Sequence, residues 1–402
     1  RNYCHAYLAP LSLFASIFSV TGRPEQGELE KDKNVVSSPL SAEFVLGLLT
    51  LGTSDPAHSE LLTSLFIPDD NAIRSAFSSV SSKLRAIKGV TFNVANKVYV
   101  KEGNYELKPE LKADAVTVFD ADFEKIDFNN GAVAAASINK WVESKTNAKI
   151  KDLLSPDCLD ESTRLVLVNA LYFKGSWKKK FDASRTQPKP FHVNSSTTVD
   201  VPMMFQEDNF KYGESPELNV QLLEMAYEGE QSSLLIVLPK EIEGLNSVLE
   251  KLANGYDLQQ DLDRMFSNKV KVAIPKFKIE TEIDLTSVLQ KLGIKSIFNM
   301  HNTGIDKVLT NNEELSVTKA VQKAFIEVNE EGAEAAAATG SYQKFSYKSY
   351  YLARYKRYML QKLLMIHKTI YYMFIALIIT HKKVSEFVCL TIIILLLKCY
   401  CD

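Results

Sequence analysis

The stretch Glu327-Val328-Asn329-Glu330-Glu331-Gly332-Ala333-Glu334-Ala335-Ala336-Ala337-Ala338-Thr339-Gly340 joins two segments with opposed local preferences. Upstream, residues 316–328 place Ala320, Gln322, Ala324, Ile326 and Val328 on one face and Lys319, Lys323 and Glu327 on the other, the period of a strand. Downstream, the alanine run has the composition of a helix. A second conformation is open to it. If the chain turns back at Gly332 and lies beside the preceding strand, Ala333, Ala335, Ala337 and Thr339 face inward while Glu334, Ala336 and Ala338 face out. Small side chains need little room between strands already packed, whereas Leu would displace core atoms and Lys would be buried charged. The spelling is that of a loop able to become a strand.

The chain around this stretch has 402 residues, 46% hydrophobic, enough for one large domain or two or three small ones. Ser38-Pro39-Leu40-Ser41 opens a helix, because Ser38 can cap free backbone N–H groups and Pro39 suits the first helical position; Gly52 closes it. Residues 131–150 carry Ala134, Ile138, Trp141 and Val142 at helical spacing, with Lys140, Glu143 and Lys145 directed elsewhere. Leu165–Phe173 and Leu234–Leu238 are unbroken apolar runs, the pattern of strands covered on both faces. Val270, Val272 and Ile274 alternate, Pro275 interrupts, and Phe277 and Ile279 resume one register later, which predicts a bulge or strand end at the proline. Asp284 is expected to cap a helix with Leu285, Val288, Leu289 and Leu292 on its stripe, stopped by Gly293. Helices and strands alternate without the beat of a parallel βα fold, so the fold class is α+β.

Residues 1–340 hold 37 basic and 47 acidic side chains, and residues 341–402 hold ten basic and two acidic ones. The body lacks a clustered basic face, which sets nucleic acid aside as a partner. Of the five cysteines only Cys4 and Cys158 lie in the body, far apart; Cys389, Cys399 and Cys401 lie in the tail, and Cys399-Tyr400-Cys401 lacks the two-residue gap of a metal or redox pair. There is no G-x-S-x-G, P-loop, H-E-x-x-H or dinucleotide fingerprint. His5, His58, His192 and His301 sit in unrelated contexts. No catalytic residue, metal site or cofactor is expected, and the chain does not read as an enzyme.

The hinge-like stretch Glu327–Gly340 closely resembles the reactive-loop hinge of inhibitory serpins. Asn169-Ala170-Leu171-Tyr172-Phe173-Lys174-Gly175 with Trp177 is similar to their signature at the top of the main sheet. Further matches are 34–41 (NVVSSPLS), Ile138-Asn139-Lys140-Trp141-Val142 and Pro275-Lys276-Phe277-Lys278-Ile279-Glu280, in order from about residue 11 to 340, with insect extracellular members nearest. The resemblance implies three β-sheets, eight or nine helices and an exposed reactive loop. It also implies a function: inhibition of a serine protease, whose target is not legible, by loop cleavage and insertion into the main sheet. Glu330, Glu331, Gly332, Ala333, Glu334, Ala335, Ala336, Ala337, Ala338 and Thr339 then form the hinge, with Gly332 as its glycine and Ala333 as the first inserting position. Ser38, Ser41 and Asn169 match the polar cluster beneath the sheet's opening, Trp177 sits at its top, and Gln322 stands where many members have His. A monomer and a secreted, extracellular location are implied, and the sequon at Asn194 bears on glycosylation only in that setting. Ala6–Val20 reads either as the apolar core of a signal peptide or as an amphipathic first helix.

After Gly340 the resemblance stops. Counting from Gly332 puts the scissile bond at Ser346-Tyr347, with Lys344 and Phe345 the chemically plainer protease targets. Residues 341–402 contain no Gly or Pro but nine of the 17 Tyr, and the family's last strands are not legible in them. The expectation is therefore a serpin domain over 1–340, incomplete at its C-terminal end, and a hydrophobic, basic non-family tail over 341–402. The alternative function is a non-inhibitory product of aberrant splicing or a frameshift, membrane-associated through its tail. Membrane contact is disfavoured, because Ile370–Thr380 and Phe387–Leu397 span 11 residues each, short of the roughly 20 that a helix needs to cross a bilayer.

Overall fold

The computed structural model describes residues 34–299, 301–317, 320–333, 373–381 and 388–397, the last two segments by their backbone. The first helix expected over Ala6–Val20 lies outside them. Eight α-helices are described: α1 (Pro39–Thr50), α2 (Ala57–Leu65), α3 (Asp70–Ala86), α4 (Pro109–Thr117), α5 (Gly131–Lys145), α6 (Leu245–Ala253), α7 (Gln259–Leu262) and α8 (Thr286–Lys291). The strands are β1 (Val35–Ser37), β2 (Val90–Lys101), β3 (Ala121–Ile126), β4 (Leu165–Ser176), β5 (Gln187–His192), β6 (Thr198–Ser215), β7 (Val220–Ala226), β8 (Ser232–Pro239), β9 (Phe266–Pro275), β10 (Phe277–Asp284), β11 (Val321–Asn329), β12 (Gly332–Ala333), β13 (Met373–His381) and β14 (Val388–Leu397).

Hydrogen bonding gathers the strands into a six-stranded sheet, β10-β11-β12-β4-β2-β3, and an eight-stranded one, β1-β14-β13-β8-β7-β6-β5 with β9 on β6. The expected third sheet is joined to the second by β6. This strand runs for 18 residues, pairing β5 at one end, β7 at the other and β9 along its opposite edge. The main core fills the space between the two sheets: Phe44, Leu48, Leu49, Leu222, Leu235, Val237, Ile274, Ile279 and Ile326 are all buried in it. A second cluster lies on the other face of the six-stranded sheet, where Ala134, Ile138 and Val142 of α5, with Ile150 and Leu153 after it, cover Tyr99 and Val168.

Several elements follow the periodicity of the sequence. On β11, Gln322, Ala324, Ile326 and Val328 are buried while Lys323, Phe325 and Glu327 are half-buried. Asp284 accepts the backbone N–H of Thr286 at 2.8 Å at the start of α8, and Gly293 follows its end with φ +98°. Pro275 proves to be a true strand end: β9 belongs to the eight-stranded sheet and β10 to the six-stranded one. The register shift in the sequence marks the chain crossing between them. The expected cap at Ser38 is corrected in one respect. Ser38 occupies the N-cap position with extended backbone and Pro39 follows, but its side chain makes no capping hydrogen bond.

The described part of the tail forms two strands. β13 runs antiparallel to β8, Phe374 to Ile379 facing Val237 to Ser232, and β14 pairs both β13 and β1. The apolar run at Leu234–Val237 is thus paired on one side with β7 and on the other with β13. Unbroken apolar runs such as Thr391–Leu397 lack alternation because central strands are covered on both faces, so the absence of a period does not argue against a strand. Among the described residues no helix is long and apolar enough to cross a membrane, and no cluster of metal-ligating side chains occurs.

Candidate functional site: the head of the six-stranded sheet

β11 ends in a two-residue turn, Glu330–Glu331, and the chain returns as β12. Gly332 and Ala333 pair with Asn329 and Val328 on one side and with Ser176 and Gly175 of β4 on the other. The turn therefore comes just before Gly332, which is the first residue of the returning strand. Its backbone has φ +150°, and a Cβ there would lie 1.9 Å from the carbonyl oxygen of Gly175. Only glycine meets both conditions. Among the described residues no ladder joins β4 directly to β11; the two strands are linked through β12 alone.

The turn is held from every side. Asn329 Oδ1 accepts the N–H groups of Glu331 and Gly332 at 3.0 and 3.3 Å. Trp177, 1% exposed, donates its indole N–H to Asn329 O at 2.9 Å, donates its backbone N–H to Glu331 O at 2.9 Å, and stacks on Tyr227 with 4.7 Å between ring centroids. Phe181 donates its backbone N–H to Glu330 O at 3.0 Å. The Glu330 carboxylate takes Lys276 at 3.0 Å and the Thr186 hydroxyl at 2.8 Å, and Glu331 takes Lys180 at 2.7 Å. Burial raises the proton affinity of Glu330, but its own backbone N–H, Lys276 and Thr186 outweigh burial and hold the carboxyl below its ordinary pKa.

A second polar group lies lower on the same sheet. Gln322 of β11, 8% exposed, accepts the Ser37 hydroxyl at 2.8 Å and the Ser38 N–H at 2.9 Å through Oε1, and donates Nε2 to Ser38 O at 2.8 Å. Val36 donates its N–H to Thr281 Oγ1 of β10 at 3.1 Å. Ser38 and Ser41 are both buried at the start of α1, and the Ser38 hydroxyl has no hydrogen-bond partner among the described residues. Asn169 stands on β4 opposite Asn96 of β2. Sequence reasoning found Gln322 and Ser38 but missed Ser37 and Thr281. Ser37 lies within the matched stretch 34–41, next to Ser38, and Thr281 takes an inward position between Ile279 and Ile283 on a strand whose outward positions are charged.

Of the remaining residues singled out in the sequence, Ala333 is placed by its backbone within β12. Glu334, Ala335, Ala336, Ala337, Ala338, Thr339, Ser346 and Tyr347 lie outside the described residues. Asn194 closes the turn between β5 and β6, its Oδ1 accepting the N–H groups of Ser196 and Thr197 at 2.9 and 2.7 Å.

Fold and site together define a class: an α+β domain whose main sheet holds a two-residue strand, β12, between two much longer ones. The family model for Serpin (serine protease inhibitor) matches residues 18–359. Antichymotrypsin-2 of Bombyx mori is 47% identical over 306 residues, 76% of this chain and 81% of that protein. Antitrypsin of Bombyx mori is 46% identical over 318 residues, 79% and 80% of the two chains. Among solved structures, cleaved Serpin 42Da superposes with a TM-score of 0.81 at 29% identity, over 99% of this chain and 100% of that one. The chain belongs to the serpins, a family of serine protease inhibitors.

Proposed function

We propose that the chain traps a serine protease by offering the segment after Ala333 as bait and then inserting that segment between β4 and β11. The observation that carries this reading is β12, two residues already paired on both sides in a place where β4 and β11 share no ladder of their own. Serpin loop insertion is a standing example of strand addition to a sheet, in which backbone hydrogen bonds supply the driving force. Each further residue that enters gains ladder bonds on two sides, and the small side chains of Ala335 and Ala337 cost little space inside. The chain's role is mechanical; no residue is assigned a catalytic step and no cofactor is needed. Relatives named antichymotrypsin and antitrypsin support proteases of those two specificities as targets, with cleavage near Lys344, Phe345 or the Ser346-Tyr347 bond. Secretion, glycosylation at Asn194 and a monomeric state belong to the same reading.

The non-inhibitory reading rests on the absence of Gly and Pro from residues 341–402, taken as the sign of a non-family ending beyond the matched residues 18–359. One experiment separates the two. The chain is mixed with trypsin-like, chymotrypsin-like and elastase-like proteases and run on SDS gels, with Ala335→Arg as the control that would bury a charge on insertion. A complex that survives SDS with the parent chain and gives way to simple cleavage in Ala335→Arg is the expected result. No such complex with any of the three classes, or equal yields from both chains, would refute the insertion mechanism.

A further inference from the structure

We infer that Asn130 is a site of self-modification: its side-chain amide is lost by reaction with the backbone nitrogen of Gly131, and the rearranged product loosens the start of α5 from the six-stranded sheet. The inference does not rest on the function proposed above.

The chain has two Asn-Gly steps, Asn130-Gly131 and Asn254-Gly255. Both asparagines are exposed, one as the N-cap of α5 and the other as the C-cap of α6. Glycine has no side chain to shield the nitrogen that follows the asparagine. What separates the two steps is the hydrogen bonding of that nitrogen. Gly255 has φ +88° and donates its N–H to Leu252 O at 3.1 Å. Gly131 is the first residue of α5, where a helix offers its N–H no acceptor, and this N–H makes no hydrogen bond among the described residues. Asn130 Oδ1 accepts the Val133 N–H at 3.3 Å, which places a donor where negative charge gathers when the Cγ carbonyl is attacked. Packing requires glycine at 131, because a Cβ there would lie 1.8 Å from the Leu159 carbonyl oxygen. The reactive pair thus arises from a capping asparagine placed before a glycine that the fold cannot exchange.

The reaction needs only the chain and water. The Gly131 N–H gives its proton to hydroxide, the nitrogen attacks Asn130 Cγ and a C–N bond forms; the Cγ–Nδ2 bond breaks and ammonia leaves. Water then opens the cyclic imide at either carbonyl. One opening gives aspartate on an unchanged backbone. The other gives isoaspartate, whose chain runs through Cβ and Cγ and is longer by a methylene. The two products act differently on α5. Aspartate still caps the helix, and its charge suits a helix N-terminus. Isoaspartate displaces both acceptors that Asn130 gives the first turn, Oδ1 to Val133 and the backbone carbonyl to Ala134 at 3.0 Å. Ala134 is buried and packs with Ile138 and Val142 over Tyr99 and Val168, so the turn that loses its cap is one that holds the helix on the sheet.

Prolonged incubation of the folded full chain at pH 8, followed by peptide mass analysis, tests the site. Tryptic peptides 126–140 and 252–264 carry the two steps, and fragment ions assign the conversion of amide to acid within each and tell isoaspartate from aspartate. Conversion at Asn130 is expected to run about tenfold faster than at Asn254, the factor that one hydrogen bond on the Gly255 nitrogen is worth. In concentrated urea, where neither nitrogen is held, the two rates should converge. Equal rates in the folded chain, or Asn254 converting ahead of Asn130, would overturn the site. Hydrogen exchange over 131–145 reads the effect on α5. Exchange should be faster in the aged parent than in the fresh one, whereas aged Asn130→Ser, which keeps a capping oxygen without the amide, and fresh Asn130→Asp should match the fresh parent. Unchanged exchange in an aged parent whose 126–140 peptide carries isoaspartate would overturn the loosening of α5, as would equal acceleration in aged Asn130→Ser.

Discussion

Glu330 shows how one side chain holds the turn between β11 and β12. Its carboxylate is nearly enclosed, 12% exposed, and is made tolerable by Lys276 and Thr186. A group whose pKa is lowered in the folded state contributes stability above its unfolded pKa and loses that contribution as pH falls through the folded value. Lys276→Met should therefore lower the urea midpoint at pH 7 and flatten its decline below pH 4.5; parallel pH curves for mutant and parent would argue against the pair. Glu43 on α1 is the opposite case. Burial pushes its carboxyl up to about 8, and its Oε1 has no hydrogen-bond partner among the described residues. Here the folded state binds the extra proton, so stability falls as pH rises from the unfolded pKa near 4.5 toward 8, by as much as about 1.4 kcal/mol per pH unit. Glu43→Gln should remove that slope and raise stability at pH 8; denaturant titrations of the two chains between pH 5 and 8 measure it.

At the level of elements, β11 joins the head of the sheet to the polar group beneath it. Gln322→Ala leaves the Ser37 hydroxyl and the Ser38 N–H and C=O without their partner. Each buried group left unmet costs about 1–3 kcal/mol, so a fall in thermal midpoint of several degrees is expected. Gln322→His, with one ring nitrogen able to accept and the other to donate, should recover part of the loss in the same calorimetric scan. The inward face of β11 was legible because a strand's period of two depends on neighbours in sequence alone, and so was the stripe of α5. The partners of Gln322 were not, because its bonds to Ser37 and Ser38 join residues more than 280 positions apart. The run of small residues after Gly332 stands out by composition, but the turn at Glu330–Glu331 depends on Asn329 folding its carboxamide back over the next N–H groups, a local bond that composition does not announce. β13 and β14 escaped for another reason: a run of Ile and Leu has no period from which a face or a register can be taken.

For the molecule as a whole, the eight-stranded sheet is assembled from both ends of the described chain, with β14 between β13 and β1. Ending the chain at Tyr372 should leave the edge of β8 and all of β1 unpaired, and exposed edges of apolar strands invite association. Size-exclusion chromatography should then show aggregates where the full chain elutes as a single species; a truncated chain eluting as a stable monomer would show the hairpin to be dispensable. The adjacency of β1 and β14 also sets a schedule. A ribosome releases β1 among the first segments of the described chain and β14 among the last, and at about 5–20 residues per second the interval is some tens of seconds. Throughout that interval β1 has no strand to lie against, and the core between the sheets stands open along the β8 edge. The cell must shelter this protein for longer than one whose early strands pair with their immediate successors, so a chaperone's dwell time on the nascent chain becomes a property encoded in the order of its strands.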